Sequence, residues 1–169
     1  MLRDHGQSRK YYHDVEGYNG RLDAIQAGIL TVKLKHLPKW NGARRDAASR
    51  YRQLFRGITS NVILPFESEN THAVYHLFVV RVQERDNLMK HLADAAIGTA
   101  IHYPIPLHLQ KAYRHLGLRK GSYPVTEKVA PEILSLPMFP SLKADEQNKV
   151  FTEIAGLVAA EQRAHVAAT

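Results

Sequence analysis

Apolar residues along this chain repeat with two periods, and the periods divide it into helices and strands. From Leu22, the residues Leu22, Ile25, Ile29 and Val32 fall within one helical arc, while Leu30 and Leu34 project to another side. A surface helix keeps its second side polar. Apolar residues on two sides therefore predict burial on two sides, against the helix's own domain and against a further domain or partner subunit. Pro38 ends or bends this helix. Ala47, Ala48, Tyr51, Leu54 and Phe55 share one face of a second helix, at about 100° per residue. The same spacing recurs in Leu88, Met89 and Leu92 of a helix over 86–96, which Gly98 closes, and in Val150, Phe151, Ile154, Leu157 and Val158 of one over 145–162. Shorter helices are expected over 109–116, ended by Gly117, and over 126–134, with Pro131 in the first turn or at a kink.

Between these helices the period changes. Val74 to Val82 is β-branched and aromatic on both alternating faces, as a central strand requires, with 62–65 and 99–101 as shorter candidates. Ser135 to Pro140 reads as an extended segment returning to a sheet edge, where proline is tolerated. Met1 to Tyr18 is polar and aromatic with no sustained period, and reads as cut from a larger body. There is no internal repeat and no long linker. The expected organisation is an arm and helix over 1–36, then one compact α/β (α+β) domain over 37–169. In that domain a small antiparallel or mixed sheet is covered mainly on one face by helices.

Composition agrees with a globular protein: of 169 residues, 44% are hydrophobic and 23% charged, enough for one core. No run approaches the roughly 20 apolar residues needed to cross a bilayer, and the polar first ten residues make no signal peptide, so no membrane partner is expected and cytoplasm is the default. The absence of cysteine removes disulfides, thiolate metal sites and a cysteine nucleophile. A formal charge of +7 raises nucleic acid as a partner, but the cations are scattered. Their densest group, Arg44, Arg45, Arg50, Arg52 and Arg56, lies on one helix, with Arg45, Arg52 and Arg56 flanking its apolar face; a solvated helix edge is expected and no nucleic-acid motif accompanies it.

Two stretches carry candidate chemistry. In Gly17-Tyr18-Asn19-Gly20-Arg21, glycines that permit unusual backbone angles bracket an amide and are followed by a planar cation, a combination suited to an anion. A plain helix start capped by Asn19 uses the same residues. In His102-Tyr103-Pro104-Ile105-Pro106 the prolines hold the preceding residues extended and fix where two aromatic donors point, which suits a ligand site or a loop covering core. His108 and His115 match no standard zinc spacing, and no metal is expected.

The loop at 17–21, the upstream Leu2-Arg3-Asp4-His5-Gly6-Gln7 and the downstream His102-Tyr103-Pro104 together resemble, in order, the C-terminal half of the DegT/DnrJ/EryC1/StrS family of sugar aminotransferases. The resemblance runs from Leu2 to about Phe151. It implies the C-terminal small domain of a type I fold dependent on pyridoxal 5'-phosphate, preceded by a connecting arm and a long helix from a cofactor domain lying before residue 1. It further implies a homodimer with shared active sites, a nucleotide-sugar substrate and a glutamate or glutamine donor, in antibiotic or surface-polysaccharide sugar biosynthesis. Asn19 would reach the cofactor phosphate of the neighbouring subunit, with Arg21 beside it. His102 and Tyr103 would line the sugar pocket, and His5 and Gly6 would sit near the active-site entrance. No catalytic residue is expected here, because the Schiff-base lysine belongs upstream. Two alternatives stay open: the family's cofactor-dependent sugar dehydratase, and a non-catalytic binding module.

Overall fold

A computed structural model describes residues 1–58 and 61–167. The chain forms two compact units, Met1–Lys39 and Trp40–Thr169.

In the first unit, β1 (Gln7–Arg9) and β2 (Tyr12–His13) pair antiparallel, with Gln7 opposite His13 and Arg9 opposite Tyr12. The chain then returns along its own start. Tyr18 donates its N–H to Leu2 O at 2.7 Å, His5 to Tyr18 O at 2.9 Å, and Gly20 to Arg3 O at 2.7 Å. Two glycines make this close return possible. Gly6 has φ +73°, and a Cβ there would lie 1.7 Å from Val15 O, while one on Gly17 would lie 2.2 Å from Gly6 N. Gly17 and Gly20, expected to supply unusual backbone angles, do not occupy the left-handed region; the need at Gly17 is for space against Gly6.

The helix that follows, α1 (Ala24–Leu34), starts two residues later than the apolar pattern suggested. Its cap is Asp23, not Asn19: Asp23 Oδ1 accepts from the N–H groups of Ile25 at 2.9 Å and Gln26 at 3.1 Å. No residue of α1 is buried. Pro38 neither ends nor bends it but stands second in α2 (Leu37–Leu54), where a missing N–H costs nothing.

The second unit holds the core. β3 (Phe78–Arg81) pairs antiparallel with β4 (Ile133–Leu136), Phe78 facing Leu136 and Arg81 facing Ile133. Single bridges extend the sheet on both sides, Ile63 to Arg81 and Ala100 to Ser135. Ser135 therefore lies inside the sheet, and the expected edge position is corrected; Pro137 and Pro140 follow the ladder and remove no bond from it. The expected helix over 126–134 is corrected too. α4 (Pro124–Val129) stops before Pro131, and Ile133 and Leu134 already belong to β4.

The strand expected from Val74 begins only at Phe78. Tyr75 has φ 49°, and Arg44 Nη1 donates to the carbonyls of Tyr75 at 3.2 Å, His76 at 3.2 Å and Met138 at 2.9 Å, claiming acceptors a sheet would need. Arg52 donates to Pro65 O at 2.7 Å and to the Tyr75 hydroxyl, which in turn donates to Glu67. Arg50 donates to Asn148 Oδ1 at 3.0 Å. The arginines expected to form a solvated helix edge thus include three that clamp loops and a helix of their own unit.

Tyr51 of α2 and Phe55 in the short turn after it, Phe78 and Val80 of β3, Leu88 and Leu92 of α3 (Arg85–Asp94), Leu134 and Leu136 of β4, and Val150 and Ile154 of α5 (Ala144–Ala167) form one cluster. The Tyr51 and Phe78 rings lie 5.1 Å apart, and Phe151 meets Phe55 edge-on at 5.4 Å. Gln147 Nε2, buried on α5, donates to Ala47 O of α2 at 2.8 Å. Burial, with the nearby Glu146 charge, pushes the Tyr51 phenol well above its ordinary range, so it stays a donor to Pro137 O at 3.1 Å.

Candidate functional site

The residues singled out by sequence fall into two groups, one in each unit. In the first unit, the returning strand pair sets His5 and Gly6 beside the 17–21 loop, with a bridge from Asp4 to Asn19. Asn19 Oδ1 accepts from Arg21 Nε at 3.4 Å, and Asp4 Oδ1 lies 3.6 Å from the same nitrogen. Both contacts use Nε. The guanidinium, on a side chain 62% exposed, keeps its terminal nitrogens for another acceptor. Asp4, which sequence reasoning passed over, orients this cation by charge; the Asp and its partner are brought together only when the arm returns. His5 contributes its carbonyl to the ring Nδ1 of His13 at 2.7 Å.

In the second unit, His102 and Tyr103 stand side by side where the chain leaves the Ala100 bridge, their rings edge to face at 5.5 Å. They wall a cavity of about 550 Å³ with Ile105, Pro106, Gln110, Val125 and Thr126. Its lining is mostly apolar with a few convergent polar groups, the usual make-up of a small-molecule site. Tyr103 is exposed, and His102 is half-buried, its Nδ1 2.9 Å from Ser135 Oγ. Ser135 was missed by sequence reasoning. The signal was present in alternation: Leu134 and Leu136 point to the core, which puts the serine between them on the opposite face.

Glu127 on α4 pins the turn ahead of that helix. It accepts from Gly121 N at 2.7 Å, Tyr123 N at 3.2 Å and His108 Nε2 at 2.9 Å. These bonds, the Gly121 N–H foremost, hold its carboxyl below the usual range. His115 Nδ1 meets Ala112 O at 3.1 Å, so the two histidines do not converge. Among the described residues, no group of three His, Asp or Glu side chains is placed to hold a metal ion.

The small sheet packed with helices and the polar arm ahead of it are similar to the corresponding part of solved aminotransferases, among them a DegT DnrJ EryC1 StrS aminotransferase from Brucella abortus, at a TM-score of 0.81 and 33% identity over 90% of this chain and 40% of that one. The chain belongs to the DegT/DnrJ/EryC1/StrS aminotransferase family, whose model matches residues 1–155. It is 44% identical to the "Pleiotropic regulatory protein" of Geobacillus stearothermophilus, a match covering 92% of this chain and 42% of that protein. It is 40% identical to dTDP-3-amino-3,4,6-trideoxy-alpha-D-glucose transaminase of Streptomyces venezuelae, covering 91% of this chain and 40% of the relative. The crystal structure of S. venezuelae DesV in complex with a ketimine intermediate superposes with a TM-score of 0.85 at 40% identity, over 91% of this chain and 41% of that one. The chain spans about two-fifths of the length of these relatives.

Proposed function

We propose that this chain is the carboxy-terminal part of a pyridoxal-phosphate-dependent transaminase that moves an amino group from glutamate or glutamine to a nucleotide-linked keto sugar, in antibiotic or surface-polysaccharide sugar biosynthesis. The observation that carries the reading is the match over 91% of the chain to a structure holding a ketimine intermediate. The geometry supports it in each unit. The enzyme is a cytoplasmic homodimer, in which Asn19 and Arg21 reach the cofactor phosphate of the neighbouring subunit and His102 and Tyr103 hold the sugar. His5 and Gly6 lie near the entrance. The arm and α1 connect to a cofactor domain.

The residues present fit one end of the cofactor. Arg21, steered by Asp4 and Asn19, offers charge-assisted hydrogen bonds to a phosphate. The covalent end is held, in this reading, by a Schiff-base lysine of the cofactor domain. When bound, the cofactor supplies an electron sink for the carbon that exchanges its amino group. Borohydride treatment of this chain with pyridoxal phosphate should label no single lysine stoichiometrically. A hybrid joining it to the amino-terminal part of the S. venezuelae transaminase should form amino sugar from glutamate and a dTDP-linked keto sugar. A folded, cofactor-loaded hybrid that forms none sinks the reading.

A further inference from the structure

We propose that Ser135 fixes His102 in the tautomer protonated on Nε2, so that the cleft meets this ring as a hydrogen-bond donor to oxygen and not as a base. The part concerning a ligand rests on the sugar-pocket reading above; the tautomer does not.

Ser135 has no freedom to follow the ring. Its strand is paired with Val79 on one side, and on the other its N–H donates to Ala100 O at 2.8 Å and its carbonyl accepts from Ala100 N at 3.3 Å. The residue is 4% exposed. Its hydroxyl carries one proton, and the partner within reach is His102 Nδ1 at 2.9 Å. If Nδ1 bore the ring proton, it would donate to Oγ, and the serine proton would be left buried without an acceptor among the described residues, at the full desolvation cost of the group. If Ser135 donates, both groups are satisfied. The proton of the neutral ring then sits on Nε2.

Ser135 does not line the cavity and His102 does, so the nitrogen left for a ligand is Nε2. Beside it on the same wall stands the phenol of Tyr103, a second donor, and among the described residues no carboxylate lines the cleft. Two neutral donors on a mostly apolar wall select oxygen acceptors, such as a carbonyl, a hydroxyl or a phosphoryl oxygen, and the acceptor nitrogen Nδ1 faces Ser135 instead of the ligand. Ser135 is a positioning residue in this scheme, acting on the ligand through His102.

The test is a long-range proton–nitrogen correlation on the whole chain labelled with ¹⁵N-histidine, at about pH 8 where an ordinary imidazole is neutral. The His102 signals are identified by their loss in His102→Gln. The expected result is a protonated Nε2 and a bare, hydrogen-bonded Nδ1. Ser135→Ala should admit the other tautomer, and Ser135→Thr, which keeps the hydroxyl, should restore the single form. A native ring protonated on Nδ1 overturns the proposal whether or not the variants fold. So does a Ser135→Ala spectrum unchanged at His102 while the Leu134 and Leu136 methyl signals stay native. Adding a dTDP-linked sugar separates the two readings: silence at Nε2 of a correctly assigned tautomer counts against the sugar pocket alone.

Discussion

The two units keep their shapes by different means. In Met1–Lys39 only Gly6 is buried, and Leu22 ahead of α1 and Ile25, Ile29, Leu30, Val32 and Leu34 on it are displayed to solvent. Main-chain bonds between the start of the arm and residues 18–20, and the Gly6–Gly17 approach, hold that unit together. In Trp40–Thr169 the side chains do it, with Tyr51, Phe55, Phe78, Leu92, Leu134 and Ile154 sealed in one cluster. Apolar side chains thus stabilise the second unit directly. In the first they are surface without a partner, of an extent monomeric proteins seldom leave uncovered. We propose that these residues are covered in the assembled enzyme by the cofactor domain or the second subunit.

The largest expected effect tests that contrast. Phe55→Ala should remove about 3–5 kcal/mol from the unfolding free energy of the chain, because its ring is sealed between Tyr51 and Phe151. Ile29→Ala should change it by no more than about 0.5 kcal/mol, as a surface substitution does. Urea titrations of both variants decide. An Ile29→Ala loss approaching that of Phe55→Ala would show that α1 already has a packed partner within this chain.

The next effect concerns what the first unit does. In the cofactor-binding hybrid, Asn19→Ala or Arg21→Ala should weaken pyridoxal phosphate roughly tenfold to a hundredfold, the loss of one charge-assisted bond at about 1.4 kcal/mol per decade. Mixing such a variant with a subunit lacking the catalytic lysine should restore one native site per mixed dimer. Mixed dimers as inactive as both parents, with subunit exchange confirmed, would mean that the loop serves its own chain.

How far the sequence led follows the same division. Helices were legible where a period ran long enough: expected over 86–96 and 145–162, they occupy Arg85–Asp94 and Ala144–Ala167. Strands were less so. β3 is shortened from Val74 to Phe78 because Arg44, distant in sequence, takes the carbonyls of Tyr75 and His76. β4 was hidden because Ala130 and Leu134 fit a helical spacing that Pro131 interrupts. Of the candidate site residues, the His102–Tyr103 pair stood out in the sequence by its prolines. Asp4 and Ser135 did not, since each acquires its meaning only when a distant residue is folded onto it.

A third test exposes the second unit's loop clamps through pH. Glu67 is held below the usual glutamate range chiefly by the Tyr75 hydroxyl, then by the Ala73 N–H, and Glu127 chiefly by the Gly121 N–H. Because each carboxyl is more acidic folded than unfolded, its contribution is fully present above the unfolded value of about 4.3 and is lost as pH falls through the folded value. The urea midpoint should therefore hold from neutrality to about pH 5 and drop below it. In Glu67→Gln combined with Glu127→Gln the midpoint should be lower at neutrality and the acid drop shallower. An acid drop of undiminished size would assign it to other carboxylates.

The smallest effect sharpens the contrast most, because its sign should change with context. Gly28 lies on the same face of α1 as Ile25 and Val32, and a Cβ there meets nothing within 4 Å. An 11-residue helix with no buried side chain rests on its own propensity, which is marginal at that length. In the chain as it stands, Gly28→Ala should favour α1 by about 0.5–1 kcal/mol, seen as a gain of helical circular dichroism. In the cofactor-loaded hybrid dimer, a partner packed on that face would meet the added methyl, and the same change should cost about 1–3 kcal/mol of dimer stability. A gain in both settings would place the Gly28 face in solvent even in the assembled enzyme, and the burial inferred from the two-sided apolar pattern would then be confined to the Leu30 and Leu34 side.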